Sequence, residues 1–186
     1  MKSYEELVSL FEEANRVLIR DDLALFESKV SERTLCGALM LHIHDIIAND
    51  PAYQGYYTDV EYNRNKGGKV KSIKKTIQGE DESIVTINCD LILHSRGQHI
   101  EQDNLIAIEM KKSTRTDEAK NKDRERLMAL TKDSYDGVWR FTGRALPEYV
   151  CRYVLGVYYE IKYSAREILL EYYRRGNLVE SKIITF

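Results

Sequence analysis

Apolar residues recur at helical spacing over residues 3–18, at Leu7, Leu10, Phe11, Ala14, Val17 and Leu18. That period predicts an amphipathic helix whose first turn carries Glu5 and Glu6, where the helix dipole favours acids. A second helix is predicted over residues 31–48, with Ser31 as N-cap, Asn49-Asp50-Pro51 as the stop, and Leu35, Leu39, Ile43, Ile46 and Ile47 as a broad apolar face. The period then shortens. Residues 57–64 alternate as a strand would, 65–68 read as a turn, and 69–78 as a basic second arm or hairpin. Residues 83–94 (SIVTINCDLILH) form a β-rich run ending at Ser95-Arg96-Gly97, and residues 105–110 are the next strand. Thr116 is placed to cap a charged helix over residues 117–130, anchored by Leu127, Met128 and Leu130. Residues 152–161 are strand-like and rich in tyrosine. Residues 167–174 and 178–185 flank Arg175-Gly176-Asn177 as a terminal hairpin. Residues 134–147 predict no element and read as an insertion.

The resulting order is α, α, β, (β), β, β, α, β, β, β. It predicts a mixed α/β fold, a β-sheet core flanked by helices, with a C-terminal β-hairpin. The 186 residues suffice for one well-buried core, so a single domain is expected. Its helical part would span residues 1–50, its sheet core 57–131 and its last strands 152–186. A formal net charge of −2 excludes a uniformly basic nucleic-acid coat and leaves a local basic patch open. Cys36, Cys89 and Cys151 are far apart and form no CxxC pair, so neither a zinc knuckle nor a disulfide framework is expected, and a reducing cytoplasm is the simplest home. The acidic N-terminal segment does not read as a secretion signal, and no apolar run approaches ~18 residues, so no membrane association is expected.

The chemistry enters at NLIAIEMKKS, residues 104–113, an apolar strand carrying one carboxylate and then two lysines. Residues i and i+2 of a strand share a face, so Glu109 and Lys111 project the same way with roughly 6–7 Å between their Cα atoms. Spacing alone does not single them out. The chain has five Glu-x-Lys triplets, and only this one follows a strand that also carries an acid in its apolar run. That acid is Asp90, nineteen residues before Glu109. An aspartate between Ile87 and Leu91 is costly to bury unless it is paired or binds a metal. If the two strands pair antiparallel, Asp90 and Glu109 sit side by side as oxygen ligands for a hard divalent ion, with Lys111 beside it.

Asp-(x)n-Glu-x-Lys on adjacent strands, followed by a helix, resembles the core of the PD-(D/E)XK nuclease superfamily, the restriction-endonuclease-like fold. The segments SERTLCGALMLHIHDII, VEYNRN, DLILHSRG and NLIAIEMKK, in that order, resemble a family of small prokaryotic PD-(D/E)XK proteins over residues 31–130, with an extension into LGVYYEI. The resemblance implies that Asp90 and Glu109 bind Mg²⁺, or Mn²⁺ in its place, and that Lys111 assists the attacking water. It also implies that Glu32, on the second helix, joins the metal shell. Cys89 stands where the family has the proline that names its motif, a residue that shapes the strand rather than doing chemistry.

Other readings stay beside these. Glu32 is equally a first-turn helix acid. Glu61 would share a face with Asp59 and Asn63, as an outer metal-site acid or as a sheet-edge acid. Six basic residues and no acid occupy residues 64–75, and Lys69, Lys71, Lys74 and Lys75 there, with Lys112 and Arg115, are the candidate phosphate contacts. The histidines have no zinc spacing, and no Gly-rich phosphate loop or GxSxG elbow occurs. The function expected is a metal-dependent nuclease acting on nucleic acid, DNA foremost. The alternative is a non-cleaving nucleic-acid-binding or scaffold protein of the same fold, in a larger complex of the kind that defence or repair uses. The tyrosines of residues 153–173 read mainly as sheet packing, with room for a homodimer surface.

Overall fold

The computed structural model describes residues 1–61, 72–76, 82–86, 89–133 and 152–186, with backbone alone for the two five-residue segments. Three helices come first. α1 (Tyr4–Asp21) opens with a capping box in which Ser3 and Glu6 each accept the other's backbone N–H. α2 (Leu23–Glu27) is one short turn whose anchor is the buried Phe26. α3 (Glu32–Ala48) is capped by Ser31, which accepts the Thr34 N–H.

Then follow β1 (Tyr57–Val60), β2 (Ser72–Thr76), β3 (Glu82–Thr86), β4 (Leu91–His94) and β5 (Asn104–Lys112). α4 (Asp117–Thr131) is capped by Thr116, and β6 (Leu155–Lys162), β7 (Glu167–Arg174) and β8 (Asn177–Thr185) complete the chain. Six strands form one open mixed sheet in the order β1-β4-β5-β6-β7-β8, and β2 pairs with β3 in a separate two-stranded ribbon. Within the large sheet only β5 and β6 run parallel, and α4 lies in the connection that such a pair requires. β7 and β8 form the expected terminal hairpin. Its two loop residues, Arg175 (φ 51°) and Gly176 (φ 78°), both take the left-handed backbone that a tight turn of this twist demands.

Strand alternation decides which helix covers which face. On β5 and β6, Ile106, Ile108, Met110, Val157, Tyr159 and Ile161 pack with α1 and α3 in the larger core. Ala107 and Tyr158 point the other way and pack with Leu127 and Leu130 of α4. The Tyr159 hydroxyl donates to Asn15 Oδ1 of α1 at 2.9 Å, so the one polar residue buried within α1 is satisfied from the sheet. α4 rests where β6 carries Gly156. A Cβ there would stand 2.9 Å from Thr131 Cγ2 and 3.1 Å from Tyr173 Cβ.

Two expectations need correction. Residues 83–94 are not one strand, because residues 82–86 pair with β2 and the large sheet resumes only at Leu91. Asp90 therefore does not sit in the middle of an apolar strand; it occupies a bend at the mouth of β4. The expected insertion at residues 134–147, the turn at 65–68, and Cys151 lie outside the described residues. No helix among the described residues is long and apolar enough to cross a membrane.

Candidate active site

β4 and β5 pair antiparallel with Leu91 opposite Ile108, and Asp90 and Glu109 are the next residue on each strand, just past the last pair of the ladder. The two acids are neighbours at the strand end, but their side chains do not sit side by side as a ligand pair. Asp90 turns back along the strand end, where its Oδ2 accepts the Met110 N–H at 2.8 Å and its carbonyl accepts the Glu61 N–H at 3.2 Å. Glu109 points under α4 and is fully buried.

Beneath α4, acids and bases interleave. Arg126 Nη1 donates to Glu109 Oε1 at 2.7 Å and reaches Asp123 Oδ1 at 3.3 Å. Lys111 Nζ lies 3.0 Å from Asp123 Oδ2. Asp123 and Arg126 are three residues apart and Glu109 and Lys111 two apart, so one helix face meets one strand face. The second oxygen of Glu109, Oε2, is buried with no nitrogen donor, and the Cys89 thiol beside the carboxyl is the hydrogen-bond donor within reach of it.

Burial pushes the Glu109 carboxyl up to about 8, with Asp90 and Asp123 adding to it and Arg126 pulling the other way. Burial also raises Asp90, opposed by the Met110 N–H and by Lys111. For Lys111, burial favours the neutral amine, but Asp90, Asp123 and Glu109 overcome it and hold the ammonium above its ordinary value. Lys111 is thus a firm cation, suited to steadying negative charge rather than to accepting a proton.

The other side of the strand end is open. Glu32, Glu61 and Asp90 line a cleft of about 400 Å³ together with Arg33, Lys112 and Arg115. Glu32 Oε1 accepts the Lys112 N–H at 2.8 Å, and Arg115 sets its guanidinium 3.3 Å from each carboxylate oxygen. Burial would raise Glu32, but these donors outweigh it and lower the acid. Glu61 leaves β1 with a left-handed backbone (φ 49°), and its Oε1 accepts from Arg33 Nη2 at 2.5 Å. It does not act with Asp59, whose carboxylate is held by His94 (2.9 Å) and Arg96 (2.5 Å). Asn63 lies outside the described residues.

Asp90 and Glu32 therefore share the cleft, whereas Glu109 and Lys111 lie on the α4 side of the strand end. Among the described residues no three His, Cys, Asp or Glu side chains converge closely enough to hold a metal ion. Of the expected phosphate contacts, Arg115 pairs with Glu32, and Lys112 Nζ donates to the Lys29 carbonyl at 3.0 Å. Lys74 and Lys75 fall on the backbone of β2, and Lys69 and Lys71 lie outside the described residues. The basic residues of α4 are largely paired within the chain, Lys120 to Glu160, Lys122 to Glu118 and Arg124 to Glu171.

Sequence reasoning passed over Asp123 and Arg126, counting them only as members of a charged helix. The signal was an Asp-x-x-Arg pair on the helix that follows a Glu-x-Lys strand. No family model, curated protein or solved structure matches this chain.

Proposed function

We propose that this chain is a divalent-metal-dependent phosphodiesterase acting on nucleic acid, DNA foremost, built on a restriction-endonuclease-like core. The observation that carries the reading is the antiparallel pairing of β4 and β5 with Leu91 opposite Ile108, which leaves Asp90 and Glu109 as the next residue on each strand, with Lys111 two residues further along β5. The chain order α3, β1, β4, β5, α4, β6 and the acid at the start of α3 support it. Asp90 and Glu32 would face the ion from the cleft, and Glu109 would join them only by leaving Arg126, because in the unliganded chain the three acids do not converge. Oε2 of Glu109, which no nitrogen donor reaches, is the donor atom left over for this. A bound Mg²⁺ or Mn²⁺ would supply a charge that polarises the phosphate and acidifies a water. Lys111, kept cationic by Asp90 and Asp123, steadies negative charge gathering on the phosphate oxygens. Asp123 and Arg126 are positioning residues that fix Lys111 and Glu109.

Purified protein incubated with linear, circular and single-stranded DNA and with RNA, in Mg²⁺, Mn²⁺ or chelator, tests this. Metal-dependent cutting that falls by ~100-fold or more in both Glu109→Gln and Lys111→Ala is the expected outcome. Cutting that persists in those variants rules out these residues.

The second reading is a non-cleaving nucleic-acid-binding or scaffold protein. It is favoured by the pairing of Glu109 with Arg126 and Lys111 with Asp123, which leaves both residues engaged in the unliganded chain. Salt-sensitive nucleic-acid binding with no cutting under any metal is its signature.

A further inference from the structure

β8 is the last strand of the large sheet, and among the described residues nothing pairs with its outer edge. It runs nine residues without proline, and Leu178, Val179 and Ile183 on it are 51%, 54% and 63% exposed. Edges of this length and apolarity are usually shortened, charged or covered, because their free N–H and C=O groups recruit another strand.

The sequence of this edge is complementary to itself. Set two copies of NLVESKIIT antiparallel with Ser181 facing Ser181. Glu180 then faces Lys182 of the second copy, and Lys182 faces the second copy's Glu180. Val179 meets Ile183, and the match ends there, because β8 bulges at Val179 against β7 and the alternation breaks before Leu178. Over residues 179–185, beyond the bulge, a two-fold axis normal to the sheet keeps each residue on its own face, so permitted registers differ by two in the sum of paired numbers. The neighbouring register on one side sets Glu180 against Glu180, and on the other Lys182 against Lys182. Opposite charges meet only in the register centred on Ser181.

The faces agree as well. Lys182 pairs with Glu12 of α1, and Ile184 packs against the core beneath α1, so the charged pairs lie on the α1 face. An ammonium has three donors, so Lys182 serves Glu12 and a second carboxylate together. Val179 and Ile183 lie on the opposite face.

We infer that two copies of this chain associate edge to edge through β8, antiparallel about Ser181, and fuse their sheets into one. β8 and β1 are opposite ends of the strand order, so the carboxylate cleft beside β1 and β4 stays open in each copy. The inference is independent of the nuclease reading.

Charge exchange on the full chain tests it, with mass read by sedimentation equilibrium and folding by circular dichroism. The wild type should show a concentration-dependent mass rising to twice 21.7 kDa. Glu180→Lys and Lys182→Glu should each weaken association by roughly tenfold or more, because each sets like charges opposite one another twice. Mixing the two variants should restore a dimer containing one of each, and the double exchange should pair with itself. Glu180→Lys leaves the Glu12 contact intact and so separates the edge from any fault in folding. A wild type that stays at one chain's mass at every concentration overturns the inference. So does a dimer indifferent to both variants, or a mixture of the two that stays monomeric.

Discussion

The two sides of the β4–β5 strand end treat the same residue type in opposite ways. On the α4 side Glu109 is fully buried, shares its one guanidinium with Asp123, and is driven up to about 8. On the α3 side Glu32 keeps contact with water, receives a backbone N–H and an Arg115 fork, and is driven down. Both carboxylates have an arginine. What separates them is the balance between lost hydration and the number of donors each acid has to itself. The buried side forms a closed net of Glu109, Asp123, Lys111 and Arg126, and the open side keeps its charges facing solvent. A strand end with one sealed and one open carboxylate surface can hold a precise geometry while still receiving a ligand.

Removing one cation from the sealed side gives the largest contrast. Above about pH 8, where Glu109 is ionised, Arg126→Ala leaves it buried without its partner, and breaking such a pair costs about 3 kcal/mol of folding stability, read from urea unfolding. A loss below ~1 kcal/mol would mean that the sealed side tolerates Glu109 as a neutral acid.

The pH dependence of stability comes next, and its sign differs between the two sides. Glu109 keeps its proton in the folded chain where the unfolded chain has lost it. Its contribution is present in acid and disappears as pH rises from about 4.5 towards about 8. Glu109→Gln should flatten that decline in a plot of Tm against pH, and parallel curves for the two proteins would refute the raised acid. Glu32 has the opposite shift. Its contribution is present above 4.5 and is lost as pH falls below it, so Glu32→Gln should flatten the acid limb instead.

Arg115→Ala is the smallest change. It should leave Tm unmoved, because the guanidinium is exposed and exposed pairs contribute little. In the nucleic-acid reading it should lower the salt slope of binding by about one. An unchanged slope removes Arg115 from the phosphate contacts.

Helix ends were legible in the sequence because caps are local. Ser31 and Thr116 each bond a backbone N–H three residues on, which the chain announces by itself, whereas the Ser3–Glu6 capping box went unread. β5 was legible from its apolar run, but the order Asp90, Glu109, Lys111 along the chain did not announce that Asp90 would face the cleft and Glu109 the helix. α2 escaped because five residues with one buried anchor have no period to read. Residues 83–94 misled because β-propensity says that a segment is extended, not which sheet it joins. The partners of Glu109 and Lys111 escaped for a third reason. Arg126 and Asp123 lie 17 and 12 residues away, and only the packing of α4 on the sheet brings them in.

That packing has a consequence at Gly156. The missing side chain there is the gap into which Thr131 and Tyr173 settle, and α4 seats on the sheet through it. A single methyl at this position, carrying no charge and touching neither acid, would act as a wedge under one end of a lever. The helix that tilts on it is the one that carries Asp123 and Arg126. The tuning of the buried charges is thus mortgaged to a hydrogen atom on a neighbouring strand.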